Sequence, residues 1–151
     1  MAIALTSFEA LCGFRPLDEI ASHIERYPEM AELIGTDVAQ QFSAAIQEND
    51  ETTNKAALKS VFSALMHSSQ EDVAAQLSKL VNRLQGTDDP MAELVVRLDQ
   101  QYPGGDIGVF CTLLLNYVTM EPGQAMFLGA NEPHAYLSGG KWQGKGGNQW
   151  I

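Results

Sequence analysis

His134 stands out among the residues of this chain able to do acid–base or metal chemistry. It lies in NEPHAYL, where Pro133 fixes the chain just before it. Alternation along the segment puts His134 and Tyr136 on one face and Ala135 and Leu137 on the other. A histidine so placed can point into a barrel. Catalytic zinc takes three protein ligands and an open position, so on pattern alone a solitary histidine reads as a hydrogen-bonded core residue. His23 and His67 fall in helical segments among polar neighbours, without an HExxH-type companion, and read as surface residues. Glu121 borders a tight turn and Glu132 precedes a proline, places where acids sit for local reasons; only Glu132 keeps an acid–base candidacy. Arg15 can contact phosphate or tie a loop to a carboxylate. The glycines of residues 139–147 lack the strand-to-helix context of a phosphate loop.

Composition narrows the classes. The chain has 151 residues, 45% hydrophobic and 19% charged, enough for one ordinary globular domain. A formal net charge of -10 with nine dispersed Lys and Arg excludes a nucleic-acid or anionic-membrane surface. Cys12 and Cys111 stand far apart without a CxxC partner, which suits a reducing, cytoplasmic setting. The apolar start has no basic region before it, and no apolar run approaches the ~18 residues that span a membrane.

These residues need elements to place them. Residues 2–8 are apolar and β-capable. From Pro16 the period turns helical, with Leu17, Ile20, Ile24 and Tyr27 before Pro28 ends the segment. A short turn of helix around Met30 to Leu33 stops at Gly35, and Thr36 or Asp37 caps a helix carrying Val38, Phe42 and Ile46. ENDETTN reads as a solvated loop. Ala57, Leu58, Val61, Phe62, Leu65 and Met66 form the next apolar stripe, and Ser68 with Glu71 is a capping box before Val73, Leu77, Leu80 and Leu84. Asp88 or Asp89 with Pro90 opens a last helix, which YPGG ends. Beyond Asp106 the pattern is β: LLLNYVTM, a Pro122–Gly123 turn and AMFLGA make a hairpin entering NEPHAYL. The Gly-rich tail from Gly139 has no period and reads as disordered or appended.

Two stretches carry a family resemblance: AIALTSFEALCGFRP (residues 2–16) and YPGGDIGVFCTLLLNYVTMEPGQAMFLGANEPHAYLSG (residues 102–139). Both resemble signature segments of type I mannose-6-phosphate isomerase, also called phosphomannose isomerase. They flank a helical segment of about the length that such enzymes insert between barrel strands. The resemblance implies a cupin-type barrel in which a Gln, two His and a Glu hold zinc. The metal assists proton transfer between C1 and C2 of the sugar phosphate through an enediol. His134 matches the histidine of the family's PHAYL and would be the last of those ligands. No residue is assigned a catalytic role, and none binds another cofactor.

The family's KPEM segment, with the Glu ligand, falls just before Met1, and its Gln and other His fall further upstream. After Gly139 this chain has GKWQGKGGNQWI where the family continues toward an RAGLTPK-like motif with a substrate-contacting Arg. The second glycine of YPGGD, where the family usually has YPGD, is expected to enlarge a surface loop.

The resulting expectation is an α+β fold: a helical insert domain of about five helices flanked by a few β-strands of an incomplete cupin or jelly-roll barrel. Residues 1–15 form a barrel strand segment, 16–103 the helical domain, 104–138 a β-hairpin segment and 139–151 a disordered or divergent tail. The chain reads as an isomerase-family piece truncated at both ends, with its zinc site incomplete and its β segments poorly supported. It is expected to be monomeric or to associate non-specifically. The alternative is a non-catalytic helical protein-interaction module, which exposed apolar stripes on the helices would favour. A third reading is a cupin-like metal binder that takes further ligands from a second chain.

Overall fold

The computed structural model describes residues 2–127, 129, 132–138 and 141–143. They fall into two compact units, one spanning Pro16–Leu113 and the other joining Met1–Arg15 to Leu114–Ile151.

The first unit is helical: α1 (Leu17–Arg26), α2 (Pro28–Ile34), α3 (Thr36–Glu48), α4 (Glu51–Met66), α5 (Gln70–Leu84), α6 (Ala92–Gln101) and α7 (Ile107–Cys111). The apolar residues at helical spacing do face inward. Ile20, Met30, Phe42, Val61, Leu65, Leu77, Leu80, Val95, Leu98 and Phe110 are all buried. Each contributes roughly 1.5–3 kcal/mol of transfer free energy. Among the described residues of this unit the exposed large apolar side chain is Tyr102, at 37%. The helical faces close on one another, and the exposed stripes that an interaction module needs are not found there.

Seven helices replace the five or so expected from the sequence. Pro28 ends α1 and also occupies the first turn of α2, where its missing N–H is no loss. ENDETTN is largely helix rather than loop: the Asp50 carboxylate accepts the Thr53 N–H at 2.8 Å, so α4 starts at Glu51 despite the weak propensity of Thr52, Thr53 and Asn54. The cap of α5 is Ser69, which accepts the Asp72 N–H at 3.1 Å; Ser68 instead donates to the Ala64 carbonyl. Asp89 accepts the Met91 N–H at 2.8 Å and shapes the turn before α6. Asp106 caps α7 by accepting the Gly108 N–H at 2.7 Å, so the chain is helical where the sequence suggested strand. An apolar run of that length does not distinguish the two; the cap does.

A polar cluster ties α1, α2, α5 and the turn before α6 together. Arg83 meets the buried Glu29 carboxylate through two hydrogen bonds of 2.8 and 2.7 Å. The Tyr27 hydroxyl donates to Asp89 at 2.7 Å, and Arg26 donates to the other oxygen of the same carboxylate at 3.0 Å. Both guanidinium groups lie about 6 Å from the Tyr27 ring centroid. Burial first, then the Asp89 bond, holds the Tyr27 hydroxyl far above its ordinary pKa, so it remains a donor. Tyr27→Phe keeps the packing and removes one charge-assisted bond; we expect a loss of about 1.5 kcal/mol, read from urea unfolding followed by circular dichroism.

The second unit holds two antiparallel three-stranded sheets. One has the order β4-β1-β6, from β1 (Ala2–Ala4), β4 (Ala125–Met126) and β6 (Lys141–Gln143). The other has the order β3-β2-β5, from β2 (Phe8–Phe14), β3 (Leu115–Met120) and β5 (His134–Ser138). Residues 2–8 therefore do not form one strand: β1 ends at Ala4 and β2 begins at Phe8.

The hairpin expected around Pro122–Gly123 also resolves differently. The turn is present, with the Gln124 N–H bonded to the Glu121 carbonyl at 3.1 Å, but β3 and β4 belong to different sheets. The Gly123 N–H donates to the Ala4 carbonyl at 2.8 Å, and the Ala4 N–H donates to the Gln124 carbonyl at 2.9 Å. These bonds dock the turn on β1 and carry the chain from the sheet of β3 into the sheet of β1 and β4. Residues 128, 130 and 131 of the expected strand and loop lie outside the described residues. In the tail, 141–143 form β6 against β1, which departs from the structureless reading; 139, 140 and 144–151 lie outside the described residues.

Candidate functional site

The sheet β3-β2-β5 positions His134. It opens β5, directly across from Cys12 of β2, with Tyr136 across from Ala10. His134 and Tyr136 share a face as the alternation requires, their rings 5.8 Å apart in an edge-to-face arrangement. Tyr136 in turn lies 6.1 Å from Phe8. Phe8 joins Ala4, Ala10 and Met120 in a buried apolar cluster, against which Val118, Met126 and Tyr136 pack. His134 thus sits at the rim of a dry patch.

The imidazole is oriented. Its Nδ1 lies 3.0 Å from the Glu132 carbonyl oxygen, which can only accept, so Nδ1 carries the proton and Nε2 presents its lone pair. A carbonyl that accepts from one ring nitrogen in this way is also what commonly fixes the tautomer of histidines that ligate metals. The fit to zinc is that of one ligand. Among the described residues no three His, Cys, Asp or Glu side chains come together as a metal site.

Around it, burial first and then the Glu132 charge push up the pKa of the half-buried Cys12 thiol, disfavouring thiolate. Burial, followed by Cys12, does the same for the Tyr136 hydroxyl. Cys111 is buried in the helical unit and is pushed up to about 12 by burial and then by Asp106. Neither cysteine is set up as a nucleophile.

The remaining candidates disperse. Glu121 is exposed and accepts a bond of 2.9 Å from Ser7, a local role as its turn position suggested. Glu132 is exposed and brings its backbone carbonyl to His134. Arg15 is half-buried, and its N–H donates to the Leu114 carbonyl at 2.8 Å, where the chain passes between the two units. His23 is not the surface residue expected: it is half-buried, with Nδ1 donating to the Leu113 carbonyl at 2.7 Å and its ring edge-on to Tyr27 at 5.5 Å. His67 is exposed and caps its own helix by donating to the Ser63 carbonyl at 2.7 Å. A shallow depression of about 440 Å³ beside it is lined by Lys59, Ser60, Ser63 and Ala64 of α4 and by His67 at its C-terminal cap.

Asn116 went unnoticed in the sequence, although a carboxamide inside the apolar run LLLNYV was the available signal. Its Nδ2 reaches the Cys12, Gly13 and Phe14 carbonyls at 3.2, 3.3 and 3.0 Å.

In chain order a helical unit stands between strands that pair with one another, β2 before it and β3 after it, which defines a class: a β domain with a helical insertion. Residues 33–115, more than half of the chain, match the model of the phosphomannose isomerase type I helical insertion domain, and the chain belongs to that family. It is 47% identical over 146 residues to mannose-6-phosphate isomerase of Rattus norvegicus and 44% identical over 146 residues to that of Homo sapiens; each match covers 92% of this chain and 34% of the relative. A crystal structure of zinc-bound mannose 6-phosphate isomerase aligns with 91% of this chain and 32% of its own at a TM-score of 0.64 and 29% identity. A point mutant of phosphomannose isomerase from Salmonella typhimurium aligns over 91% of this chain and 33% of its own at a TM-score of 0.66 and 30% identity. The chain spans about a third of the length of the curated relatives that it matches.

Proposed function

We propose that this chain serves the zinc-dependent interconversion of mannose 6-phosphate and fructose 6-phosphate, supplying the helical insertion and part of the metal-site barrel. The observation that carries the reading is His134, in a segment that resembles a signature of the family: its Nδ1–H is held by the Glu132 carbonyl and its Nε2 is left to coordinate. Zinc, when bound, would stabilise negative charge developing on substrate oxygen. His134 would hold the metal as one ligand, Tyr136 would fix the ring edge-on, and the cluster of Phe8, Ala10 and Met120 would keep water from that side. The described residues contribute one ligand, so zinc affinity and turnover depend on groups beyond them. The two free cysteines suit a cytoplasmic setting. Among the described residues no helix is long and apolar enough to cross a membrane.

The test compares the 151-residue chain with a polypeptide of the relatives' length that contains it, with and without His134→Ala. Zinc content and conversion of mannose 6-phosphate to fructose 6-phosphate are measured on each. We expect stoichiometric zinc and turnover in the long polypeptide, with zinc affinity lowered at least roughly 100-fold by His134→Ala. Undiminished zinc binding in the long His134→Ala variant removes the histidine from the ligand set. Stoichiometric zinc and turnover in the 151-residue chain overturn the incomplete site.

A further inference from the structure

Asn116 lies in β3 and points its amide at an irregularity of the neighbouring strand. The β2·β3 register shifts between Leu11 and Phe14, marking a bulge, and Gly13 within it has φ +67, a conformation that favours glycine. The Asn116 Nδ2 lies within hydrogen-bond distance of three carbonyls there in succession, those of Cys12, Gly13 and Phe14, its two hydrogens being shared among them.

The other side of the same bulge is fastened to β5. The Gly13 N–H donates to the Pro133 carbonyl at 2.9 Å, and Cys12 pairs with His134. One short stretch, residues 12–14, is therefore held by Asn116 on one edge and holds Pro133 and His134 on the other. Tyr136 pairs with Ala10, outside that stretch, so loosening residues 12–14 would shift the His134 ring relative to the Tyr136 ring.

We propose that Asn116 is a positioning residue for His134: by clasping the bulge at residues 12–14 it fixes the Pro133–His134 backbone, and so aims the Nε2 of the imidazole. The functional meaning rests on the reading of His134 as a metal ligand, while the geometric claim stands apart from it. The chemistry asks for a carboxamide: Asp at this position has the shape but no donors, and repels the three carbonyls.

The test is nitrogen-15 NMR of the histidine rings in the full 151-residue chain, wild type, Asn116→Asp and Asn116→Ala, above the pH range in which imidazole ionises. In the wild type His134 should be chiefly the Nδ1–H tautomer, with ring contacts to Tyr136. In both variants the Nδ1–H fraction of His134 should fall at least twofold and the Tyr136 contacts should weaken. His23 and His67, whose Nδ1–H groups bind carbonyls in the helical unit, should stay unchanged. An unaltered His134 tautomer and ring contact in a folded variant overturns the proposal, whatever the loss of stability. Should neither variant fold, hydrogen exchange in the wild type decides. Protection of the Gly13 N–H and the Asn116 carboxamide supports the clasp, and exchange of both at the free-solvent rate overturns it. The zinc measurement on His134→Ala judges the metal reading separately.

Discussion

Gly105→Ala should lower the melting temperature of this protein well beyond what Gly104→Ala does. A Cβ built on Gly105 comes within 2.6 Å of both Cα and Cβ of Ala74 in α5, and φ at Gly105 is +81. The first is a clash with backbone that no rotamer relieves, at roughly 1–3 kcal/mol for overpacking. The second adds about 1 kcal/mol for a left-handed conformation with a side chain. We expect a total of about 2–4 kcal/mol, and a fall in Tm of roughly 5–15 °C for a chain of this size. Gly104→Ala is the control: φ is +102 but nothing lies within 4 Å of the added methyl, so only about 1 kcal/mol should be lost. The loop is also latched from α5, where the Gln70 amide donates to the Gly104 and Gly105 carbonyls at 3.0 Å each. The glycine pair of YPGGD is thus more than an enlarged surface loop, because one of its members lets two backbones touch.

The second large effect concerns Arg83. Its partner Glu29 is 5% exposed, so Arg83→Ala strands a carboxylate in the helical unit. A fully buried pair broken in this way costs roughly 3–5 kcal/mol; since the Arg83 side chain is 43% exposed, we expect about 2–3 kcal/mol. The pH dependence identifies the cause. Burial by itself would raise the Glu29 pKa, but the Arg83 bonds and charge outweigh it, and the folded value lies below the ordinary one. Its stabilisation is therefore present above the ordinary glutamate range and is lost as pH falls through the depressed folded value. Asp89 behaves alike: burial opposes ionisation, and bonds from Tyr27 and Met91 together with Arg26 outweigh it. In Arg83→Ala burial prevails at Glu29, so the variant should gain on the wild type as pH falls into the carboxylate range. Urea unfolding at a series of pH values shows whether the gap narrows; a constant gap would mean that Arg83 acts through packing alone.

Much of this was legible in the sequence. The helical unit follows from apolar residues at a 3.6-residue period punctuated by Pro16, Pro28 and Gly35, and such signals act within a turn or two of the chain. His134 and Tyr136 could be placed on one face because strand alternation is equally local. What escaped depends on partners far along the chain. The Glu29–Arg83 pair joins residues 54 positions apart, and the approach of Gly105 to Ala74 has no local mark beyond the glycine itself. The pairing of β3 with β2 rather than β4 was hidden because a turn at Pro122–Gly123 is compatible with either a hairpin or a step to another sheet. The start of α4 was missed for another reason: Thr and Asn are poor helix formers, and the Asp50 cap overrides them at that end.

The pairing of β2 with β3 also bears on how the chain reaches its native state. The Asn116 clasp joins atoms up to 104 positions apart, and the whole helical unit lies between the two strands. Closing an unstructured loop of that length opposes pairing through chain entropy, whereas most helix contacts span short separations. Helices that fold early replace a long flexible tether by a body whose ends, at Pro16 and Leu113, join residues already within one hydrogen bond of each other, Arg15 and Leu114. A helical insertion that forms first would serve as a template for strand registration, and the expected order of folding runs from the middle of the chain outward.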